Sequence, residues 1–188
     1  MTPDVAALPA RWWSRPTEDE RAAWTAAWPR AREAAAALGL AADGVDELRL
    51  TLSAADGETL LEEYERLFVG PGRAPVPPYE SLWRADGPRR EHGRLMGAPA
   101  ADAVRLYRAL GLSLRRDAHE LPDHVAVEWE ALAYALARDA REQAAALVQA
   151  HLALWMPAFC AAVAAAAEQP FYRALALLTA AWTEALAR

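Results

Sequence analysis

The sequence predicts an all-α fold, and two observations lead to that prediction. Apolar residues recur at intervals of three and four positions along most of the chain, which is the period of a helix face, and we find no convincing strand pattern. The composition agrees, because 54% of the 188 residues are hydrophobic, Ala is abundant, and only 9 residues are Gly. We therefore expect a helical bundle that forms one domain over residues 1–188.

Residues 1–52 are expected to form N-terminal helices preceded by a short arm. The arm contains the pair Trp12-Trp13, which could pack on the body or serve as an exposed aromatic anchor, and we favour packing. Thr17 and Glu20 have the spacing of a capping box, in which the Thr17 side chain accepts the amide of Glu20 while Glu20 reaches back. A helix is therefore expected to begin there.

The next strong pattern is a helix that runs into a proline-rich loop over residues 70–86. Its apolar face is formed by Leu60, Leu61, Tyr64, Leu67 and Phe68. Gly70 and Pro71 end this helix, because Gly tolerates the left-handed position and Pro disfavours helix at the residue before it. The prolines at 75, 77 and 78 should keep the loop extended, with few hydrogen bonds of its own.

The stretch from Arg84 to Pro99 is rich in Gly, Pro and charge and is expected to be an exposed connection. It contains the pair Arg89-Arg90. An internal Arg pair is not a twin-arginine export signal, which lies near an N-terminus, so we expect solvent exposure for this pair.

A core helix is predicted from Pro122 onward. Its apolar stripe consists of Val125, Trp129, Leu132 and Leu136. Pro122 suits a first helical turn, where its missing amide costs nothing, and Asp123 would place a negative charge at the positive end of the helix dipole. His124 and Glu128 lie four residues apart, so they should share one face at the edge of the buried surface.

Two further helices are predicted in the last third of the chain. One continuous stripe passes through Pro157 and predicts a single long helix that is kinked at this residue. Its members are Val148, Leu152, Trp155, Phe159 and Val163. Gln169 and Pro170 separate it from a final helix, whose stripe is Phe171, Leu175, Leu178 and Trp182. His151 and Trp155 are four apart, and we expect His151 to pack on the indole at the core boundary.

The charge and the cysteine count exclude several classes of function. A net charge of -6 and a pI near 5.3 argue against a nucleic-acid partner, which would need a basic face. A single cysteine, Cys160, excludes an intrachain disulfide and a thiolate-rich metal site, and its apolar surroundings favour a buried structural thiol. We expect no secretory signal in the first residues, no segment close to a membrane span, and a cytoplasmic protein.

Asp123-His124 could indicate catalysis, because an Asp can orient a His that acts as a base. Neighbouring residues at a helix start point in different directions, however, and no motif places a Ser or Cys nucleophile, so a structural or binding role is favoured. His124 and Glu128, with His119, could form part of a metal site, but a further ligand is not evident. The simpler interpretation is that Glu128 bonds His124 or a nearby amide, and we expect neither a metal nor a cofactor.

Three motifs resemble those of the TorD/DmsD/NarJ family of redox-enzyme maturation chaperones. They are Tyr64-x-x-Leu67-Phe68-x-Gly70-Pro71-Gly72 followed by Pro77-Pro78-Tyr79-Glu80-Ser81, then Leu121-Pro122-Asp123-His124-Val125-x-x-Glu128, and finally His151-Leu152-x-x-Trp155-x-Pro157-x-Phe159. They occur in the family's order and extend from Tyr64 towards the C-terminus. Joint accidental occurrence of three motifs is much rarer than occurrence of one.

This resemblance implies an all-helical cytoplasmic chaperone, monomeric or homodimeric, rather than an enzyme. Its partner would be the apo form of a molybdenum-cofactor oxidoreductase catalytic subunit, bound through a twin-arginine signal peptide or N-terminal region and held until cofactor insertion. Such binding would use an apolar groove together with acidic groups for the arginines of the peptide. The candidate contacts are Pro78, Tyr79, Glu80, Trp83, Pro122, Asp123, His124 and Glu128.

Two alternatives remain open at this point. The chain could assist assembly of a redox enzyme without recognising a signal peptide, or it could be a small helical enzyme that uses His124. On the chaperone interpretation, replacing Asp123 and His124 together by Ala should weaken client binding and leave helical content and melting temperature nearly unchanged.

Overall fold

Helices account for most of the protein in the computed structural model, which describes residues 2–71, 74–84, 94–114 and 120–188. Gly72 of the loop motif, the pair Arg89-Arg90 and His119 lie outside these residues. The extended backbone pairs within the described part of the chain amount to one isolated β-bridge, between Tyr79 and His124. The predicted all-α fold is confirmed.

The helices are numbered in chain order. The first five are α1 (Asp4–Trp12), α2 (Glu18–Ala26), α3 (Trp28–Ala37), α4 (Asp43–Ala54) and α5 (Gly57–Tyr64), and a π-helical turn (Glu65–Val69) extends α5. After a short 3-10 turn (Glu80–Leu82) come α6 (Ala98–Ala109), α7 (Val125–Ala137) and α8 (Arg141–Leu147). A second π-helical turn (Val148–Leu152) joins α8 to α9 (Ala153–Ala166), and α10 (Pro170–Ala187) follows.

The N-terminal arm is itself a helix, α1, and it packs against α7. The side chains of Trp12 and Trp13 are both about 1% exposed, so the prediction that this pair packs on the body is confirmed. The Trp13 indole donates a buried hydrogen bond of 3.1 Å to Thr179 Oγ1 on α10. Helix α1 therefore contributes to the same core as the C-terminal helix.

The capping box at the start of α2 forms in one direction only. Thr17 Oγ1 accepts the backbone amide of Glu20 at 3.1 Å, as predicted. The Glu20 carboxylate lies 3.6 Å from Arg11 Nε on α1 instead of reaching back to Thr17, so the reciprocal half of the prediction is wrong. An opposite charge on the preceding helix offers Glu20 a tertiary partner that local sequence does not reveal.

The core draws on residues from most of the helices, and α10 packs against both α9 and α4. Every residue of the two predicted C-terminal stripes is buried, and Gln169-Pro170 separates the helices as expected. The long helix contains a π-helical turn, which precedes Pro157 in the sequence. A kink at Pro157 itself stays a prediction. Cys160 is buried on α9, and burial raises the pKa of its thiol to about 12, consistent with a structural thiol.

The continuous helix Arg141–Ala166 is long and apolar enough to cross a membrane, with a mean hydropathy of 1.6 over its most apolar window. The expectation that no segment approaches a membrane span is therefore wrong, because this helix has the length and the apolar composition of one. Half of that window is buried inside the protein, as in the core helix of a folded domain. Absence of membrane insertion stays a prediction.

Candidate functional site

Helix α7 begins at Val125, not at Pro122. His124 is the N-cap, and its Nδ1 accepts the backbone amide of Ala126 at 3.2 Å. Pro122 precedes the helix, so its predicted place in the first turn is wrong. Burial lowers the pKa of His124 to about 4, so the imidazole is neutral at pH 7 and its Nδ1 is free to accept.

The proline-rich loop is held against this helix start by backbone hydrogen bonds. The amide of Val125 donates to the carbonyl of Pro78 at 2.9 Å, and the amide of Glu80 donates to the carbonyl of Asp123 at 2.9 Å. These bonds flank the antiparallel bridge between Tyr79 and His124. Because prolines lack an amide donor, the loop can form few bonds of its own, and the Pro78 carbonyl and the Glu80 amide pair instead with the residues at the start of α7.

Asp123 fixes the loop through its side chain as well. It is fully buried, and its Oδ2 accepts both the amide of Ser81, at 3.0 Å, and the hydroxyl of Ser81. The hydroxyl of Tyr107 on α6 donates to the carbonyl of Pro122 at 2.7 Å and holds the same segment from the other side. The carboxylate of Asp123 therefore positions the loop.

Tyr79 and Trp83 are the partly exposed aromatic side chains of this loop. The Tyr79 ring lies edge-on to His124, with centroids 5.3 Å apart, and its hydroxyl donates to Glu120 Oε2 at 3.4 Å. Partial burial and then the Glu120 charge raise the pKa of Tyr79 to about 12. The Trp83 indole donates to the carbonyl of Pro77 at 2.7 Å, and its ring packs edge-on against Phe159.

Behind the loop lies a buried polar cluster formed by Glu80, Arg84, Glu128, His151 and Trp155. The two oxygens of Glu80 have different partners, since Oε1 accepts from Arg84 Nη1 at 2.8 Å and Oε2 lies 2.8 Å from His151 Nδ1. Glu128 Oε2 accepts from the Trp155 indole at 2.9 Å. The interpretation that Glu128 bonds His124 or a nearby amide is wrong, because the indole on α9 is the partner.

The two glutamates of this cluster have opposite pKa shifts. Complete burial, followed by the nearby charge of Glu80, raises the pKa of Glu128 well above its ordinary value, so Glu128 favours the protonated form. Burial also opposes ionisation of Glu80, but hydrogen bonds, led by that from His151, outweigh it and lower the pKa of Glu80. The two shifts therefore favour an ionised Glu80 and a protonated Glu128, and the two side chains share a hydrogen bond.

The structure brings the three sequence motifs together, but it does not show the metal arrangement of His119, His124 and Glu128 that was considered from the sequence and not favoured. The Nδ1 of His124 is occupied by the helix cap, and His119 lies outside the described residues, so His124 and Glu128 are not seen to share a ligand site with it. His151 does not simply pack on Trp155; it reaches across to the loop carboxylate. The third motif marked His151, but no sequence spacing connects it to Glu80, 71 positions away.

Most of the predicted client contacts are buried. Pro78, Glu80, Pro122, Asp123, His124 and Glu128 are all buried, whereas Tyr79 and Trp83 are partly exposed. The buried six join the loop to α7 and to the polar cluster. A role for any of the eight residues in client binding stays a prediction, and Tyr79 and Trp83 are the two that a ligand could touch without rearrangement.

An open groove of about 500 Å³ lies beside the cluster, between α6 and the α8–α9 helix. His151 and Arg84 reach the groove from the cluster side, and Leu106 and Leu154 contribute apolar surface. Asp102 and Arg105, which form an ion pair with each other, line it as well. The groove gives the buried polar cluster a route to solvent through His151.

Replacing Asp123 by Ala is expected to destabilise the protein, contrary to the sequence-based expectation of an unchanged melting temperature. The substitution leaves two buried Ser81 donors without an acceptor, and an orphaned buried polar group costs roughly 1–3 kcal/mol. Urea unfolding followed by circular dichroism measures the loss. Ser81→Ala removes only the hydroxyl and should cost less, whereas wild-type stability in Asp123→Ala would contradict the positioning role.

Together the helical bundle and the docked loop define a class of all-helical proteins in which a proline-rich loop is fixed to a buried Asp-His step. Residues 23–161 match the family described as nitrate reductase delta subunit. Because the match covers more than half of the chain, the protein belongs to this family. The resemblance to the TorD/DmsD/NarJ group is confirmed.

Two known proteins are similar to this chain. A Tat proofreading chaperone DmsD from Salmonella typhi is 26% identical over 155 residues, which cover 82% of this chain and 69% of the relative. A solved structure from Archaeoglobus fulgidus, assigned as a redox enzyme maturation protein, is 24% identical and superposes with a TM-score of 0.66. That comparison covers 95% of this chain and 93% of the other, and it shows a shared fold.

Proposed function

We propose that the protein is a chaperone for the catalytic subunit of a molybdenum-cofactor oxidoreductase. It binds the signal peptide or N-terminal region of the apo subunit and assists cofactor insertion before export or assembly. The observation that carries this proposal is the family match over residues 23–161, a range that contains both the loop and α7. The Salmonella typhi relative is named a Tat proofreading chaperone, which supports a role for this protein before export.

The surface beside Tyr79 supports binding of a peptide that is both apolar and basic. The Tyr79 ring is partly exposed and large, and Glu120 next to it is 43% exposed in its side chain. A carboxylate beside an aromatic face suits an arginine followed by apolar residues. The net charge of -6 favours the approach of such a peptide at low salt.

The environment of His124 supports a binding function instead of turnover. Its Nδ1 is occupied as the cap of α7, its pKa of about 4 is far below neutral pH, and its ring is covered by Tyr79. A general base needs an accessible lone pair and a pKa nearer to the working pH.

The proposed site of action is the cytoplasm, where an apoenzyme receives its cofactor before export.

The second candidate is assembly of a redox enzyme without recognition of a signal peptide. The description of the matched family as nitrate reductase delta subunit favours it. Both candidates predict the same kind of client and differ only in the client segment that is bound.

Isolation of the client tests the proposal directly. The tagged chain is expressed in its native cells under respiratory conditions, and co-purifying proteins are identified by mass spectrometry. A molybdenum-enzyme catalytic subunit as the dominant partner is expected, and a twin-arginine signal on that subunit would select the first candidate. Recovery of no such subunit, from cells that express the enzyme, would contradict both.

Tyr79→Ala is expected to weaken binding of a synthetic peptide that copies the N-terminal region of the recovered subunit by about tenfold, because aromatic side chains supply much of the energy of such contacts. The backbone bonds of the loop do not need the Tyr79 ring, so the fold should persist. Tyr134→Ala is the matched control, since Tyr134 is also partly exposed but lies towards the other end of α7. Equal affinities of the two variants in fluorescence titration would argue against this surface.

A further inference from the structure

We propose that Glu80, Glu128 and His151 form a binding site for one divalent transition-metal ion. One ligand atom from each residue lies within 4.8 Å of the other two, and all three side chains are buried. The inference goes beyond the proposed chaperone function, because client binding does not require an ion in this cluster.

The distances are compatible with closure around an ion. Bonds of about 2.0–2.2 Å to nitrogen and oxygen ligands place neighbouring ligand atoms roughly 3–3.5 Å apart. Glu80 Oε2 and His151 Nδ1 are already 2.8 Å apart, so an ion between them needs a small separation of this pair. Within the described residues no N–H or hydroxyl donor bonds Glu128 Oε1, although it is buried, and the Glu128 side chain shares a hydrogen bond with Glu80 that depends on a proton. In the proposed site this oxygen is the third ligand, with the ion in place of the proton.

Each carboxylate is already oriented by an outer partner. Arg84 holds Glu80 through Oε1, which leaves Oε2 for the ion, and Trp155 holds Glu128 through Oε2, which leaves Oε1. Bound metals commonly have ligands that are fixed in this way by a second layer of hydrogen bonds. The two outer donors therefore leave one oxygen of each carboxyl group available to an ion.

The charge of the cluster also favours a cation. Two buried carboxyl groups lie close together and share a hydrogen bond, which requires a proton on one of them. A positive ion in place of that proton would equally avoid two unscreened buried charges. Two carboxylates with one imidazole suit zinc, manganese or iron(II). His151 lines the groove between α6 and the α8–α9 helix, which provides a path for the ion.

Titration of the full chain with the metal alone tests the site. Protein dialysed against EDTA is titrated with Zn²⁺ and separately with Mn²⁺ at pH 7.5, by calorimetry and by manganese EPR. The expected result is one ion per chain for at least one metal, with release of a proton. Glu128→Gln keeps the volume and an acceptor for Trp155, so it should fold, and it should weaken binding by at least about tenfold, as should His151→Gln.

Asp102→Asn is the control, because Asp102 lines the same groove outside the ligand set, and its affinity should equal that of the wild type. No saturable binding of either ion would overturn the proposal and leave a proton as the occupant of the cluster. Equal binding by the wild type and Glu128→Gln, both shown to be folded, would also overturn the proposal, because the ion would then be bound at another site.

Discussion

Glu80→Ala is expected to lower the free energy of unfolding by roughly 3–5 kcal/mol, the cost of breaking a buried ion pair by removal of one partner. Glu80 is fully buried, and its two oxygens hold Arg84 and His151 at 2.8 Å each. Without the carboxylate, a largely buried guanidinium and a buried imidazole both lose their partner. Arg84 also donates to the carbonyl of Ala150 at 2.9 Å. Without Glu80 to orient its guanidinium, this second bond should weaken and the loop should loosen as well.

Urea unfolding of the metal-free protein measures this loss. Glu65→Ala is a suitable comparison, since Glu65 pairs with Arg15 at a solvent-exposed position, where ion pairs contribute at most about 1 kcal/mol. Glu80→Gln keeps the size of the side chain and should lie between the two. A loss in Glu80→Ala no larger than in Glu65→Ala would show that the cluster does not stabilise the loop.

Acidification is expected to remove about 3 kcal/mol of stability through His124 alone. The pKa of His124 is about 4 in the folded protein and 6.5 when exposed, so the unfolded chain takes up a proton first. The stability due to the neutral, buried ring is complete above pH 6.5 and is lost progressively as the pH falls towards 4. Below that pH both states are protonated and the loss stops growing.

Comparison with His124→Asn isolates this contribution, because Asn is a good helix cap and does not titrate. The difference in unfolding free energy between wild type and variant should be constant above neutral pH and should shift against the wild type from pH 6.5 to 4.

The contribution of Glu128 to stability should change with pH in the opposite direction in the same experiment. Its pKa is raised by folding, so its contribution is complete below 4.5 and is lost as the pH rises, a loss that Glu128→Gln lacks. A pH-independent difference for His124→Asn would contradict its buried, neutral state.

Periodicity predicted the helices wherever a stripe meets the core. The stripe that includes Trp155 and Phe159 is buried throughout, because a helix that packs on one face must repeat its apolar residues at three and four positions. Helix α1 was not predicted, since Pro9 inside it argues against a helix by local rules. Packing of Trp12 and Trp13 outweighs that local preference.

The site was predicted in its parts but not in its connections. Motifs identified the loop and the Asp123-His124 step, yet sequence spacing cannot show that Asp123 faces Ser81 or that Glu128 faces Trp155, because these contacts join distant segments. Burial likewise depends on the assembled fold. Asp123, a charged residue in a motif, was therefore predicted to contact a client at the surface. The structure shows that it is buried and supports the loop through Ser81.

The hydrogen bond between Trp13 and Thr179 spans 166 positions of sequence and has a consequence for biosynthesis. Segments so far apart cannot meet until α10 has left the ribosome, so the tryptophans of α1 stay without their α10 partners until then. We expect the nascent chain to remain protease-sensitive until α10 emerges. Packing of α1 would then be completed only after the synthesis of α10.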